Sequence, residues 1–397
     1  MDRDLFSRRR LLTRSATAMA AASFAGLTPF LHAADKPLLE ERKSFFAKGK
    51  IPQLNIQIAK EDMESLRREP KKYVKVQIKE DGDKYDYTDA ALHLKGAAGS
   101  FRSIDEKPGL SLNMNKFEED QSFHGVDKFH LNNSVQDPTY ISELLVGEMY
   151  RAAGVPASRG THAIVTLNEK MRGLYFLKEG YDRTFLKTSF GSKNGNFYDG
   201  GFLRDLDQPL ELNSTKGDVK DQKELKALVE AAREGDQAKR FEKLEKLLDL
   251  DRFISYLALQ VATWDWDGYP MNRNNYRIYH DPNKDKVIFI PSGMDQMWGD
   301  PNGPILPGFQ GFVARGLVET KEGRKRYFAR MGSILSDVYK VPDLLKRLDE
   351  LEAHVQPALK SVDRGAGNDY KNQVNRLRGA IPQRAKSLAE QLKKNKA

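Results

Sequence analysis

The polar–apolar pattern changes character once along the chain, from period two to period 3.6. In the first half it mostly alternates. Ile51, Leu54, Ile56 and Ile58 stand among polar residues, which predicts a strand over 51–58. Further strands are predicted over 73–78, 85–94, 109–117, 128–132, 160–167 and 173–179, with turns at Asp81-Gly82-Asp83 and Asn168-Glu169. A short helix is expected over Lys60–Glu69, closed by Pro70. A longer one is expected over Tyr140–Ala153, opened by Asp137-Pro138-Thr139 and closed by Gly154. Leu38 to Lys50 reads as a charged lead-in, and 204–222 as a polar loop.

From Asp221 the spacing turns helical. Leu225, Leu228 and Val229, then Phe241, Leu244, Leu247 and Leu248, recur three and four apart. Asp251 to Thr263 is a continuous apolar helix, two strands at 275–280 and 286–291 flank Asp281-Pro282-Asn283, and 321–394 is mainly amphipathic helix. No repeat of 20–50 residues is present. The pattern predicts an α+β protein, β-rich in its N-terminal half and mainly helical in its C-terminal half.

Composition narrows the chemistry. The chain has 397 residues, 39% of them hydrophobic, enough for a sizeable core. It contains no Cys, which excludes thiol catalysis, disulfides and Cys-ligated metals. Its seven His residues form no HExxH pattern, so a zinc hydrolase is not expected. The formal charge of +9 suits an acidic substrate or a phosphate ligand. The basic runs at 324–326 and 393–396 read as solvated helix faces without aromatic interleaving, so a nucleic-acid partner is not expected.

The N-terminus carries an address. Ser7-Arg8-Arg9-Arg10-Leu11-Leu12 precedes a weakly apolar, Ala-rich run, Ala16 to Phe30, and Leu31-His32-Ala33 offers a small residue for cleavage. Residues 1–33 are read as a twin-arginine signal peptide. The mature chain, expected to lack a transmembrane segment, would then be periplasmic, cell-surface or extracellular.

Three acidic or amide positions stand out. Asp267 follows the apolar helix, and Asn272, Asn274 and Asn275 come just after it. An Asp followed five residues later by an Asn is the spacing of a kinase catalytic loop, where Asp orients a hydroxyl and Asn ligates a metal ion. An Asx-rich turn joining helix to strand has the same residue types. Asp295 lies just past the strand 286–291, and hard oxygen ligands of this kind suit Mg²⁺ on a triphosphate. Lys107 precedes a strand and Glu143 sits early in a helix, the placement by which kinases pair a lysine with a glutamate, though each alone reads as a surface charge. The loop Gly96-Ala97-Ala98-Gly99-Ser100 is a weak Gly-rich signal.

Taken together, several stretches resemble the spore coat protein H (CotH) kinase family. They are Phe123-His124-Gly125-Val126, Leu131-Asn132-Asn133, Asp137 to Glu143, Ala153-Gly154-Val155-Pro156-Ala157, Gly173 to Glu179, Trp266-Asp267-Gly268-Tyr269, Asn272 to Tyr276, and Ile290-Pro291. The resemblance implies a protein-kinase-like fold that uses ATP and Mg²⁺ to phosphorylate Ser or Thr of a protein. It implies ATP-binding roles for Lys107, its helix partner Glu143, and Glu179 beside the hinge. It makes Asp267 the catalytic Asp, and Asn272 or Asn275 a metal ligand together with Asp295. It divides the chain into a signal (1–33), an N-terminal β-rich extension (34–90), a kinase-like core (91–300) and a C-terminal helical part of the same domain (301–397).

One departure matters. The family usually reads Pro-Trp-Asp-x-Asp after the last strand, and this chain reads Pro291-Ser292-Gly293-Met294-Asp295. Glycine stands where the first Asp ligates metal. Asp295 is expected to reach in if the segment stays extended, and Gly293→Asp to restore the missing ligand. The replacement also favours a second reading, a catalytically degenerate surface or scaffold protein. The acids and tryptophans of 264–267 leave a glycosidase as a third.

Overall fold

The alternating half closes on itself. The computed structural model describes residues 36–82, 84–97, 99–213 and 221–396, so the arginine pair and the rest of the 1–33 signal lie outside the described residues. The lead-in expected before the first strand forms a helix, α1 (Lys36–Lys48). Then follow β1 (Gln53–Ile58), α2 (Lys60–Arg68), β2 (Val74–Glu80), β3 (Tyr85–Lys95), β4 (Gly109–Asn113), β5 (Lys128–Asn132), α3 (Ser142–Ala152), β6 (Gly160–Leu167) and β7 (Lys170–Glu179).

Strands β1 to β7 form a closed barrel in the order β1-β2-β3-β4-β5-β7-β6. Closure is made by β1 and β6, which run parallel, Leu54 opposite Val165. Asn168, just beyond β6, locks the seam: its amide accepts from Ile58 N at 2.7 Å and donates to Ile58 O at 2.9 Å. The boundary expected between residues 90 and 91 falls within β3, so residues on both sides of it build one barrel. Alternation sets the two faces. Leu92 and Leu94, Leu110 and Leu112, Phe129 and Leu131, and Tyr175 and Leu177 fill the interior. Their neighbours His93 and Lys95, Ser111, His130 and Asn132, and Lys178 therefore point outward.

Two family stretches have local reasons. Phe123 and Val126 bridge across His124 and Gly125, which have φ of +48° and +73°, the left-handed pair a tight hairpin needs. A Cβ on Gly125 would collide with the backbone of Leu38 in α1. Asp137 builds the start of α3. Its carboxylate accepts from Thr139 N at 3.1 Å and from Ser142 N at 2.9 Å. Tyr370 Oη, far along the chain, donates to Thr139 O at 2.7 Å.

The second half is helical around one small sheet. α4 (Arg183–Phe190), β8 (Phe197–Asp199), β9 (Glu211–Leu212), α5 (Lys223–Arg233), α6 (Gln237–Leu247) and α7 (Leu250–Ala262) precede α8 (Tyr269–Asn272), β10 (Tyr276–Asp281) and β11 (Lys286–Pro291). The sheet order is β11-β10-β8-β9. The chain ends with α9 (Phe312–Glu319), α10 (Lys321–Ser333), a π-turn at Ile334–Val338, α11 (Val341–Val362) and α12 (Arg364–Lys396).

Every residue of α7 from Phe253 to Ala262 is buried, as an all-apolar helix requires. The chain leaves α7 through Trp264, whose φ of +49° turns it sharply toward Asp265. Arg384 of α12 holds that exit. Fully buried, it donates from Nη1 to Gly303 O at 2.5 Å and from Nη2 to Val261 O at 2.6 Å, and its guanidinium lies 5.0 Å from the Trp264 ring centre. Arg384→Met keeps the apolar stem but removes two ionic hydrogen bonds, leaving Gly303 O only Gln391 Nε2 and Val261 O only backbone donors. It is expected to lower the unfolding free energy by about 3 kcal/mol. Urea denaturation checks this, and a loss under about 1 kcal/mol would show that Arg384 does not hold the loop.

Candidate functional site

The outward face of the barrel carries a row of cations. Lys178 on β7 pairs with Glu143 in the first turn of α3, both buried. Asn132 on β5 bridges: its Nδ2 donates to Glu143 Oε2 at 2.6 Å, and its Oδ1 accepts from Lys95 Nζ at 2.5 Å. Lys95 ends β3 opposite Gly109, where a Cβ would stand 3.1 Å from Lys95 Cγ, so the glycine clears the path of the lysine across the sheet. Arg277 of β10, paired with Asp199 at 2.8 Å, adds its field to Lys95 and Lys178.

The electrostatics follow from burial. Burial alone would depress the Lys178 amine, but Glu143 beside it raises its pKa above the ordinary value. Burial would raise the Glu143 carboxyl, but Lys178 and then Lys95 bring it below its usual range. Lys95 is pushed down to about 8, by burial first and by Lys178 second, with Glu143 and Asp295 opposing.

The loop after α7 is linked to this row electrostatically: Asp265 feels Asp267, Asp295 and Glu143, and Asp295 feels Glu143 and Lys95. Asp267 Oδ1 accepts from Asn272 Nδ2 at 2.6 Å. Its Oδ2 accepts from Asn275 Nδ2 at 2.8 Å and from Asn274 Nδ2 at 3.1 Å. Three amides thus fix one carboxylate, and each points its own oxygen away from it. Asp265 lies deeper, fully buried, with Oδ2 accepting from Gln260 Nε2 at 3.0 Å. Its Oδ1, Gln260 Oε1 and the hydroxyls of Tyr150 and Tyr256 have no partner among the described residues. Burial, then Asp267 and Asp295, drive the Asp265 pKa well above the usual carboxyl range.

Asp295 makes no hydrogen bond to another side chain among the described residues. Its pKa is raised to about 7, by burial first and then by Glu143 and Asp137. The segment before it is not extended, contrary to expectation. Strand β11 ends at Pro291, and Gly293 adopts φ +59°. A Cβ at Gly293 would lie 2.6 Å from Asn275 Cγ, so the Asn275 amide fills the room an aspartate would need. Among the described residues no group of three or more His, Asp or Glu side chains is arranged to hold a metal ion.

The fold brings Asp267, Asn272 and Asn275 together and sets Asp295 within electrostatic reach of Glu143. It does not pair Lys107 with Glu143. Lys107 Nζ donates to Tyr140 Oη at 2.8 Å and lies over the rings of Tyr140 and Tyr175, 5.0 and 5.1 Å from their centres. Its main-chain carbonyl is held by Asn133 Nδ2 at 3.0 Å, which keeps it at the barrel rim. Nor does the Glu179 side chain face the cleft. It accepts from Arg42 Nε at 2.5 Å and from Arg159 N at 2.9 Å, on the opposite side of β7 from Lys178. The sequence singles out neither Lys95, Lys178 nor Asn132, and Asp265 only among the acids of 264–267. Asn132 and Lys178 lie inside two of the family stretches, and Lys95 closes an alternating strand whose register makes it outward-facing.

The depressed Lys95 sets a pH dependence. An unfolded lysine keeps its proton to about 10.4 and the folded one only to about 8, so folding is penalised below pH 8. The penalty fades as pH rises from about 8 towards 10.5, where the unfolded chain binds more protons. Compared with Lys95→Met, the parent should therefore gain stability between pH 7.5 and 9.5 in urea denaturation. A difference constant with pH would mean that Lys95 keeps an ordinary pKa.

A family profile described as CotH kinase protein matches residues 92–388. The inner spore coat protein H of Bacillus subtilis is 24% identical over 261 residues, 61% of this chain and 71% of that protein. Invasin CotH3 of Rhizopus delemar is 26% identical over 189 residues, 43% of this chain, which spans only 31% of the invasin. A solved structure titled as a Helicobacter pylori proinflammatory kinase, CtkA, covers 75% of this chain and 97% of that one at 7% identity and a TM-score of 0.33, too loose a likeness to transfer residues. The profile takes in both the cationic barrel face and the Asp267 loop, and the chain belongs to the CotH kinase protein family.

Proposed function

We propose that the chain transfers the γ-phosphoryl group of ATP to a Ser or Thr hydroxyl of a protein partner. The observation that carries this reading is a cluster of Lys95, Lys178 and Arg277 linked electrostatically, through Glu143, Asp295 and Asp265, to a carboxylate, Asp267, fixed by three asparagines. Two buried amines tied to Glu143 through an ion pair and an amide suit a polyphosphate, which needs positioned charge more than covalent help. The oxygens fit a hard cation only when a substrate phosphate completes the set. Asp295 offers a carboxylate, and Asn272 and Asn275 offer amide oxygens. A Mg²⁺ ion bound there would neutralise charge on the β- and γ-phosphates. Asp267 would hold the acceptor hydroxyl and take its proton as the oxygen bonds to the γ-phosphorus and the bond to ADP breaks.

Export by the twin-arginine route completes the reading. That route carries folded proteins, so nucleotide can be bound and a partner modified before crossing. The names of a spore coat protein and of invasins among the relatives fit a surface or extracellular destination. Among the described residues no helix is long and apolar enough to cross a membrane. A second reading, a scaffold without turnover, is favoured by Gly293 and by the Asn275 amide that fills the space beside it.

Asp267→Asn removes the proton acceptor but keeps the shape. It is expected to cut phosphoryl transfer from ATP to a protein fraction by about 10²-fold or more; its new amide N–H₂ meets an asparagine donor, so the melting temperature should also fall, and transfer is compared at a temperature where both chains are folded. If the parent binds ATP but transfers nothing to any fraction, the scaffold reading takes over. Gly293→Asp must leave a left-handed backbone or displace Asn275 from Asp267. It is therefore expected to lower stability by about 1–3 kcal/mol and to weaken Mg²⁺-dependent ATP binding, not to restore it. Tighter Mg²⁺-ATP binding by Gly293→Asp, measured by calorimetry, would instead mark the natural protein as a degenerate kinase.

A further inference from the structure

We propose that a second site, at the C-terminal end of β7 where Glu179 stands, binds a small oxyanion of the phosphate class. Lys178 and Glu179 are successive strand residues and point to opposite faces. Behind Glu179 lies a cavity of about 270 Å³, close to the lower end of the roughly 300–1,000 Å³ that small-molecule sites occupy. Four arginines line it, Arg42, Arg151, Arg159 and Arg252, against one carboxylate, Glu179.

The arginines are not consumed by the protein. Arg42 is 2% exposed, yet only its Nε is used, on Glu179 at 2.5 Å. Its Nη1 and Nη2 make no hydrogen bond among the described residues, and the nearest further acid, Asp182, stands 3.8 Å from Nη2. Buried donors left without acceptors are costly, and a guanidinium presents five of them in a fixed fork. Arg151 spends Nη1 on Ser158 O at 2.6 Å. Arg252 spends Nε on Gly154 O at 3.2 Å and Nη1 on Asp249 at 3.1 Å. The Arg159 side chain has no hydrogen bond or ion pair among the described residues, while its backbone N holds Glu179. Arg151 is held below the usual arginine range by burial, which Glu148 and Glu179 do not offset and to which Arg159 adds. The cavity thus keeps unspent N–H groups, those of Arg42 and Arg159 above all, although Glu179, Asp182, Asp249 and Glu148 stand near the other arginine atoms. A tetrahedral dianion with several acceptor oxygens satisfies such donors, and arginine forks recognise phosphate bidentately. Ser189 of α4 lines the same cavity and adds a hydroxyl.

The ligand would tie together α1, the end of α3, the start of β6, α4 and α7, through one residue from each. The site stands independently of the phosphotransferase reading. Titration calorimetry of the full chain with inorganic phosphate, and with glycerol phosphate as a monoester, at constant ionic strength tests it. One phosphate should bind per chain. Arg159→Gln and Arg252→Gln should each weaken binding about 10-fold or more, the scale of a lost ionic hydrogen bond. Both replace partly exposed side chains, so they should fold even if Arg42→Met does not, and melting curves check this. Lys95→Gln, which removes a cation from the other face, should leave the constant within about 2-fold. Weaker binding of the monoester than of inorganic phosphate supports the site and names free phosphate as its ligand, and the reverse order supports it and names a monoester. No binding of either at about 10 mM overturns the proposal, as does loss on Lys95→Gln with retention on Arg159→Gln.

Discussion

A single buried carboxylate fixes how α3 sits against the barrel. Glu143 lies at the start of α3, and α3 is set by the Asp137 turn and by Tyr370 from the last helix. Lys178 belongs to β7 and reaches Lys95 on β3 through Asn132 on β5. Removing either partner of such a pair would leave a bare charge in a medium that cannot solvate it, which typically costs several kcal/mol. The pair is therefore more a constraint than a source of stability. Three strands and a helix must agree on one geometry, and Glu143 at its centre is within electrostatic reach of Asp265 and Asp295.

The same logic governs the loop. A carboxylate fixed by Asn272, Asn274 and Asn275 is held in place, and the pKa of the buried Asp265 behind it is driven well up, in part by Asp267 itself. Arg384 holds the exit of α7 from α12, more than a hundred residues later. Polar groups in this region are thus positioned by long-range contacts, each with its own buried partner. Precision of that kind suits electrostatic catalysis, in which the environment is arranged before the reaction begins.

Most of the fold was legible in the sequence because most of its elements bury one face. The strands 128–132, 160–167 and 286–291 were read with their observed bounds, since alternation or an apolar run ends sharply there. Helix α1 was not recognised, because its charged surface hides Leu39 and Arg42, which are buried only by contact with distant strands. Barrel closure was invisible too, since nothing local in β1 says that it pairs with β6. At the site, Asp267 and its asparagines were legible because they lie within eight residues of one another. The lysine partner of Glu143 was not. Lys107 precedes a strand as a kinase reading expects, and only the register of β7 against β5 shows that Lys178 is the side chain in reach. Spacing finds chemistry that is local in sequence, whereas pairing across a sheet depends on topology.

The parallel seam between β1 and β6 has a consequence for how the molecule comes into being. The clamp that seals it joins residues 110 apart in the chain. Loop closure over that distance must precede the contacts that reward it, which makes the step slow compared with forming any hairpin of the barrel. During synthesis, β1 waits with an unpaired edge until Leu167 and Asn168 have emerged. A fragment ending anywhere before them would present that edge to other chains, as a template for pairing between molecules.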